Sequence, residues 1–248
     1  MSSTFRKTLI CLVAVFALSA VTASASFALT KYEFLKGGAG LSPKEFTGKQ
    51  GGNSVLRATG LEVICTEGSS TGKFATNTSK VEKVIVKFHG CTSNAGKCEV
   101  HSKNVPVNGD RDGDSDEIVT SQINGTLGAT TTGTSKVGLD LEPTGSTTFT
   151  ELEFVGKECP SLAKIKGSVI GEISPVNSGA IGTGQVVKHT LKFEENATKE
   201  QLIQNIEEEG KGGTADNGDV LTGFAGNNRL TNTTEIELTS KEAFEVHT

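Results

Sequence analysis

Short runs of β-branched and alternating residues, bounded repeatedly by Gly, Asn and Ser, most limit the folds open to this chain. Ser54–Arg57 and Leu61–Cys65 read as strands. Val81–Phe88 is the clearest, with Val84, Val86 and Phe88 on one face and Lys83, Ile85 and Lys87 on the other. Cys98–His101, Ile118–Thr120, Lys136–Leu141 and Thr147–Phe154 follow. Ile165–Ile173 alternates around Gly167 and Gly171, a pattern that predicts one strand with a bulge or close backbone approach. His189–Phe193, Val220–Thr222, Glu235–Leu238 and Ala243–Val246 complete the set. In the last two, Ile236/Leu238 and Phe244/Val246 alternate with glutamates, as in half-solvated antiparallel strands. Thr198–Glu209 is the exception: Thr198 as a cap, Leu202 and Ile206 four apart and Gly210 as a stop suit a short helix, with strand as the alternative. Residues 125–134 and 209–218 read as Gly-rich flexible loops. Closely spaced strands without intervening helices predict an all-β fold, an antiparallel sandwich or barrel with two disulfides.

The N-terminus sets the chemical context. Arg6 and Lys7 precede an apolar run, Leu9–Val21, and Ala23-Ser24-Ala25 is a small-residue cleavage site. Residues 1–25 therefore read as a secretory signal peptide, with Ser26 starting the exported chain and no transmembrane segment left after cleavage. The apolar run is too short to span a bilayer. Residues 26–248 then form a secreted β-rich region, read as one domain with a soft boundary near Pro160, where a cysteine-bearing half meets a cysteine-free half.

Cys11 belongs to the leader, which leaves Cys65, Cys91, Cys98 and Cys159 in an oxidising compartment. Four cysteines allow three pairings. Cys91 and Cys98 flank the turn-like Thr92–Lys97, so the expectation is Cys91–Cys98 closing a hairpin and Cys65–Cys159 closing a long loop. A metal site is the alternative, but neither a CxxC nor an HxxxH spacing is present. His89, two before Cys91, and His101, three after Cys98, make only a weak cluster.

The acidic run from Asn108 to Glu117 is the best candidate for chemistry. Asn108, Asp110 and Asp112 stand at calcium-loop positions 1, 3 and 5, with Gly113 at 6 and Asp116 at 9. Asp114 and Glu117 are available in a looser arrangement. Alternate residues of a tight turn can aim oxygens at one hard cation. Position 12 is Val119, however, where a bidentate glutamate belongs, and no helices flank the run. A solvated β-turn is the plain reading, since Asn, Gly and Asp are also the commonest turn residues. Calcium is the one cofactor the sequence suggests.

Other classes find less support. Asp140/Glu142, Glu151/Glu153 and Glu172 are strand carboxylates, and a glycosidase needs two facing one cleft, but alternating glutamates are more often the wet side of a sheet. His89, His101, His189 and His247 lie in no GxSxG or HExxH context. The formal net charge of −5, more negative still once Arg6 and Lys7 leave, disfavours nucleic acid as a partner. The absence of Trp and the single Tyr32 disfavour a lectin-like groove.

Val63-Ile64-Cys65-Thr66, the run Val84–Cys91 leading to Cys98, Ile118-Val119-Thr120 before Gly125-Thr126-Leu127-Gly128, and Gly167–Ile173 carry a resemblance. The chain resembles uncharacterised secreted all-β proteins of high-GC Gram-positive bacteria. The resemblance implies an exported all-β protein and carries over no functional residues. The expectation is thus a secreted or cell-surface protein that is not an enzyme, with a structural or binding role and partners in the cell envelope or at its surface. A calcium-dependent adhesion module using residues 108–117 ranks second, and a secreted hydrolase third.

Overall fold

The computed structural model describes residues 32–36, 39–40, 44–58, 61–76, 79–93, 96–103, 117–130, 136–160, 162–177, 188–208, 222–223, 228–229, 231–240 and 244–248. The expected leader 1–25 and the acidic-run candidates Asn108, Asp110, Asp112, Asp114 and Asp116 lie outside these residues, as does the whole of 209–218.

The described residues form strands and turns. In chain order the strands are β1 (Glu33–Lys36), β2 (Ala39–Gly40), β3 (Glu45–Gln50), β4 (Ser54–Ala58), β5 (Leu61–Phe74), β6 (Lys80–Ser93) and β7 (Cys98–Ser102). Next come β8 (Ile118–Val119), β9 (Ile123–Thr130), β10 (Val137–Pro143), β11 (Thr148–Val155), β12 (Leu162–Lys166) and β13 (Val169–Ser174). β14 (His189–Phe193), β15 (Ile206–Glu208), β16 (Thr222–Gly223), β17 (Asn228–Arg229), β18 (Thr231–Ser240) and β19 (Glu245–His247) complete the chain.

The expected all-β antiparallel fold is a barrel. Hydrogen-bonded neighbours run β9-β10-β13-β14-β18-β3-β5-β6, and β6 returns to β9 through Lys80↔Thr126, Val81↔Gly125 and Val84↔Ile123, closing eight strands into a ring. Closure leaves the ring with no free edge. Strands from both sides of Pro160 share it, as in the pairings β10–β13 and β18–β3. The strand pattern alternates in the expected sense: Val84 and Val86 are buried, with Phe88 half-buried behind them. Outside the ring, β7, β11, β12, β16 and β17 continue as a flanking sheet from the far end of β6. β1 pairs with β19 and β2 in a separate small sheet.

One end of the ring is filled by aromatic rings. Phe74 closes β5 with its centroid 4.9 Å from Phe34, 5.2 Å from Phe46 and 4.8 Å from Phe244, and all four side chains are buried. Phe34 and Phe244 arrive from β1 and from just before β19, so the small sheet supplies half the plug.

Four expectations are corrected. The disulfides are Cys65–Cys91 and Cys98–Cys159, not Cys91–Cys98 and Cys65–Cys159. The reason is register. β5 and β6 form one long hairpin that sets Cys65 directly opposite Cys91, with Cα atoms 4.0 Å apart. Cys98 lies opposite Ser93 instead, and β11, paired to β7 with Val155 opposite Glu99, leads the chain back so that Cys159 meets Cys98. Cys98 and Cys159 have Cα atoms 5.9 Å apart, within the usual disulfide range.

Second, Ile165–Ile173 is two strands. At Gly167 φ is +100°, a conformation a side chain resists, and there the chain leaves β12 beside β11 to enter the ring as β13. Third, Gly125–Thr130 is not a flexible loop but part of β9, with Leu127 fully buried. Its glycines make room: a Cβ on Gly125 would lie 2.7–3.0 Å from Val81, Leu139 and Leu141, and one on Gly128 would lie 2.5 Å from the Glu207 carbonyl oxygen.

Fourth, of the two readings of this segment its described part, Thr198–Glu208, is not the short helix, and the strand alternative holds only at Ile206–Glu208. Asn196 Oδ1 accepts hydrogen bonds from the backbone N–H of Thr198 (3.0 Å) and of Glu200 (2.9 Å) and from the Thr198 hydroxyl (2.7 Å). This side-chain turn takes the amides that would start a helix. Lys199 follows at φ +59°, and the chain returns so that Ile203 and Ile206 pack with Ile170 on the outside of the ring while Leu202 faces solvent. Beneath this cover β10 is buried on both faces, which explains its unbroken buried pattern from Val137 to Leu141.

Candidate functional site

The inward faces of the strands enclose the main candidate site. Beyond the aromatic plug the ring widens into a cavity of about 70 Å³ lined by sixteen residues. The ring supplies Val63, Val86 and Phe193 among others. Phe149, Leu152 and Ile165 come from β11 and β12, so the flanking sheet forms part of the wall. A second space of about 20 Å³ lies against the plug, and Val86, Leu141 and Ile236 line both.

The lining is apolar by chemistry as well as by count. It includes three hydroxyl residues, Ser54, Thr120 and Thr150, and no side chain that titrates, since Cys65 is bridged. Thr120 Oγ1 accepts from the Val86 backbone N–H at 3.0 Å, and Thr150 Oγ1 donates to the Val119 carbonyl at 2.9 Å. Ser54 is engaged too. An interior water needs two to four polar partners, which these occupied groups do not supply. Of the lining residues only Leu56 and Phe88 are half-exposed, the rest being buried.

The carboxylates singled out in the sequence do not converge on this space. Glu151 pairs with Lys164 at 2.5 Å, and the hydrogen bond from that ammonium holds the Glu151 carboxyl below its usual value. Glu153 faces His101 across the β7–β11 pair at 3.7 Å, and Glu172 meets Lys136 at 2.6 Å. Glu142 is exposed and Asp140 is buried on β10. Glu117, the last residue of the acidic run, sits 3.3 Å from the Lys87 ammonium and 3.7 Å from His89 Nε2. Among the described residues no group of three His, Cys, Asp or Glu side chains is placed to hold a metal. Nor, among them, is any helix long and apolar enough to cross a membrane.

Sequence reasoning gave no special role to His189. It begins β14 fully buried, stacked on Phe244 with centroids 4.3 Å apart, and its Nε2–H donates to the Phe244 carbonyl at 2.8 Å. Because a carbonyl can only accept, this bond sets the tautomer. Burial lowers the imidazole below its ordinary 6.5, opposed by the carbonyls of Phe244 and Pro175 and by the Glu245 carboxylate. Glu245 is itself buried, against the half-solvated expectation for its strand. The unfolded chain then binds a proton at a pH where the folded one does not. Stability is therefore intact above about pH 6.5 and falls as pH drops below it, by at most about 1.4 kcal/mol per pH unit from this group. Urea unfolding at pH 7 and pH 5 should show the loss, and His189→Gln should flatten it. An equal slope in the variant would assign the acid sensitivity elsewhere.

No family model matches this chain, and neither a curated protein nor a solved structure matches it.

Proposed function

We propose that this is an exported, non-catalytic β-barrel protein that acts outside the cytoplasm or at the cell surface, by binding or as a scaffold. The observation that carries the reading is the pairing of all four cysteines downstream of the leader, Cys65–Cys91 and Cys98–Cys159. Disulfides of this kind persist in oxidising compartments. The non-catalytic part is supported by a cavity lined without titratable side chains and by Glu151, Glu153 and Glu172, each engaged with a lysine or histidine.

The test is direct. Expressed with residues 1–25 in a secreting host, the protein should be recovered outside the cytoplasm with Ser26 at its N-terminus and no alkylatable thiol. Unreduced peptide mapping should show the two bridges named. Retention in the cytoplasm with free Cys65 or Cys98 would overturn the reading.

A further inference from the structure

We infer that the interior of the barrel is a binding site for an alkyl group, either a small hydrocarbon or the tail of an amphiphile, entering between Leu56 and Phe88. The inference rests on the binding half of the function proposed above. Eight-stranded barrels are just wide enough for side chains to fill or to hold one small ligand, and this one is filled at only one end. There Phe34, Phe46, Phe74 and Phe244 interlock and leave about 20 Å³. At the other end about 70 Å³ remains, several times the roughly 10–15 Å³ that one water requires.

The chemistry of the wall selects the ligand. No charge is present to hold an ion, and the Thr120 and Thr150 hydroxyls are engaged by backbone groups. A polar ligand would be stripped of water and offered little in return, since the wall carries three hydroxyls and no charged group. An apolar space of this kind stays dry, and its walls lack contacts on one side, so an apolar guest restores dispersion contacts without displacing bound water. Leu56 and Phe88 are the half-exposed residues of the lining, with buried residues behind, so entry beside them suits a chain that enters end first.

The experiment uses the oxidised chain with methyl-labelled Ile, Leu and Val, titrated with xenon and with straight-chain alcohols of increasing length. Saturable methyl shifts are expected at Leu56, Val86, Ile118, Leu152 and Ile165. Affinity should rise about fourfold for each methylene added until the space is full, and then level off. Leu152→Ala, which enlarges the space, should move that plateau to longer alcohols. Val169→Phe, which occupies it, should abolish the shifts. If the second variant fails to fold, the first still decides. Octanoate run beside octanol identifies the source: equal binding means that the headgroup stays outside and the ligand is an amphiphile, whereas exclusion of octanoate means a wholly enclosed hydrocarbon. No saturable shift with xenon or any alcohol, or shifts confined to the outer face, would overturn the inference. The leader-cleavage and thiol results do not depend on this titration, so either conclusion can fail without the other.

Discussion

Replacing Cys98 and Cys159 together by alanine should lower the free energy of unfolding by about 4 kcal/mol, read as a fall in the urea midpoint with a slope that rises as the denatured chain expands. The bridge spans 61 residues, from the start of β7 to beyond β11. In the folded protein β7 and β11 are already hydrogen-bonded neighbours, with Phe154 opposite Val100. The covalent link therefore acts mainly on the unfolded chain, whose freedom it restricts over a long loop. Removing Cys65–Cys91, which spans 26 residues, should cost about 3 kcal/mol by the same reasoning. A domain stable by roughly 5–15 kcal/mol loses much of its margin when both are absent, and the fully reduced protein should be largely unfolded at 37 °C. A loss under about 1 kcal/mol for Cys98→Ala/Cys159→Ala would show that the unfolded chain is already constrained in that region.

Phe74→Ala should cost about 4 kcal/mol, more than truncation of any half-buried aromatic such as Phe88. Phe74 is 2% exposed and touches three other rings, so its removal leaves a void that those rings, held by β1, β3 and the segment entering β19, cannot fill. The loss combines apolar burial, cavity formation and tilted ring contacts. The small sheet of β1, β2 and β19 depends on the same cluster through Phe34 and Phe244. Amide exchange in β1 and β19 should therefore quicken more than in β10 and β13 on the opposite wall. Equal protection changes across all four strands would mean that the small sheet is held by something other than the aromatic plug.

The inward faces were legible from the chain because alternation is a local property. Val84, Val86 and Phe88 declared their side of β6 within five residues, and Leu139 and Leu141 did so on β10. The polar stretch from Thr66 to Ser69 carried no such signal, yet it continues β5 because its backbone pairs with Lys87–His89 of β6. Without it Leu61–Cys65 looks like an isolated strand, and the pairing of Cys65 with Cys91 is invisible. The cavity was hidden for a related reason. Its walls run from Ser54 to Ile236, each strand contributing one to three residues that look like ordinary core, and only the joining of ring and flanking sheet leaves them facing a common space.

By itself, the sequence determined that the chain is built of strands, which residues point inward where a strand alternates cleanly, as Val84–Phe88 does, and that four cysteines lie beyond residue 25. These depend on side-chain periodicity and on position along the chain. Only the tertiary structure decided which cysteines meet, that Gly167 separates two strands, that Asn196 folds the following residues into a turn, and that β6 closes on β9 to leave a space inside. Those outcomes depend on register between segments distant in sequence, and the backbone hydrogen bonds that join them are offered alike by every residue except proline, so no single segment declares its partner.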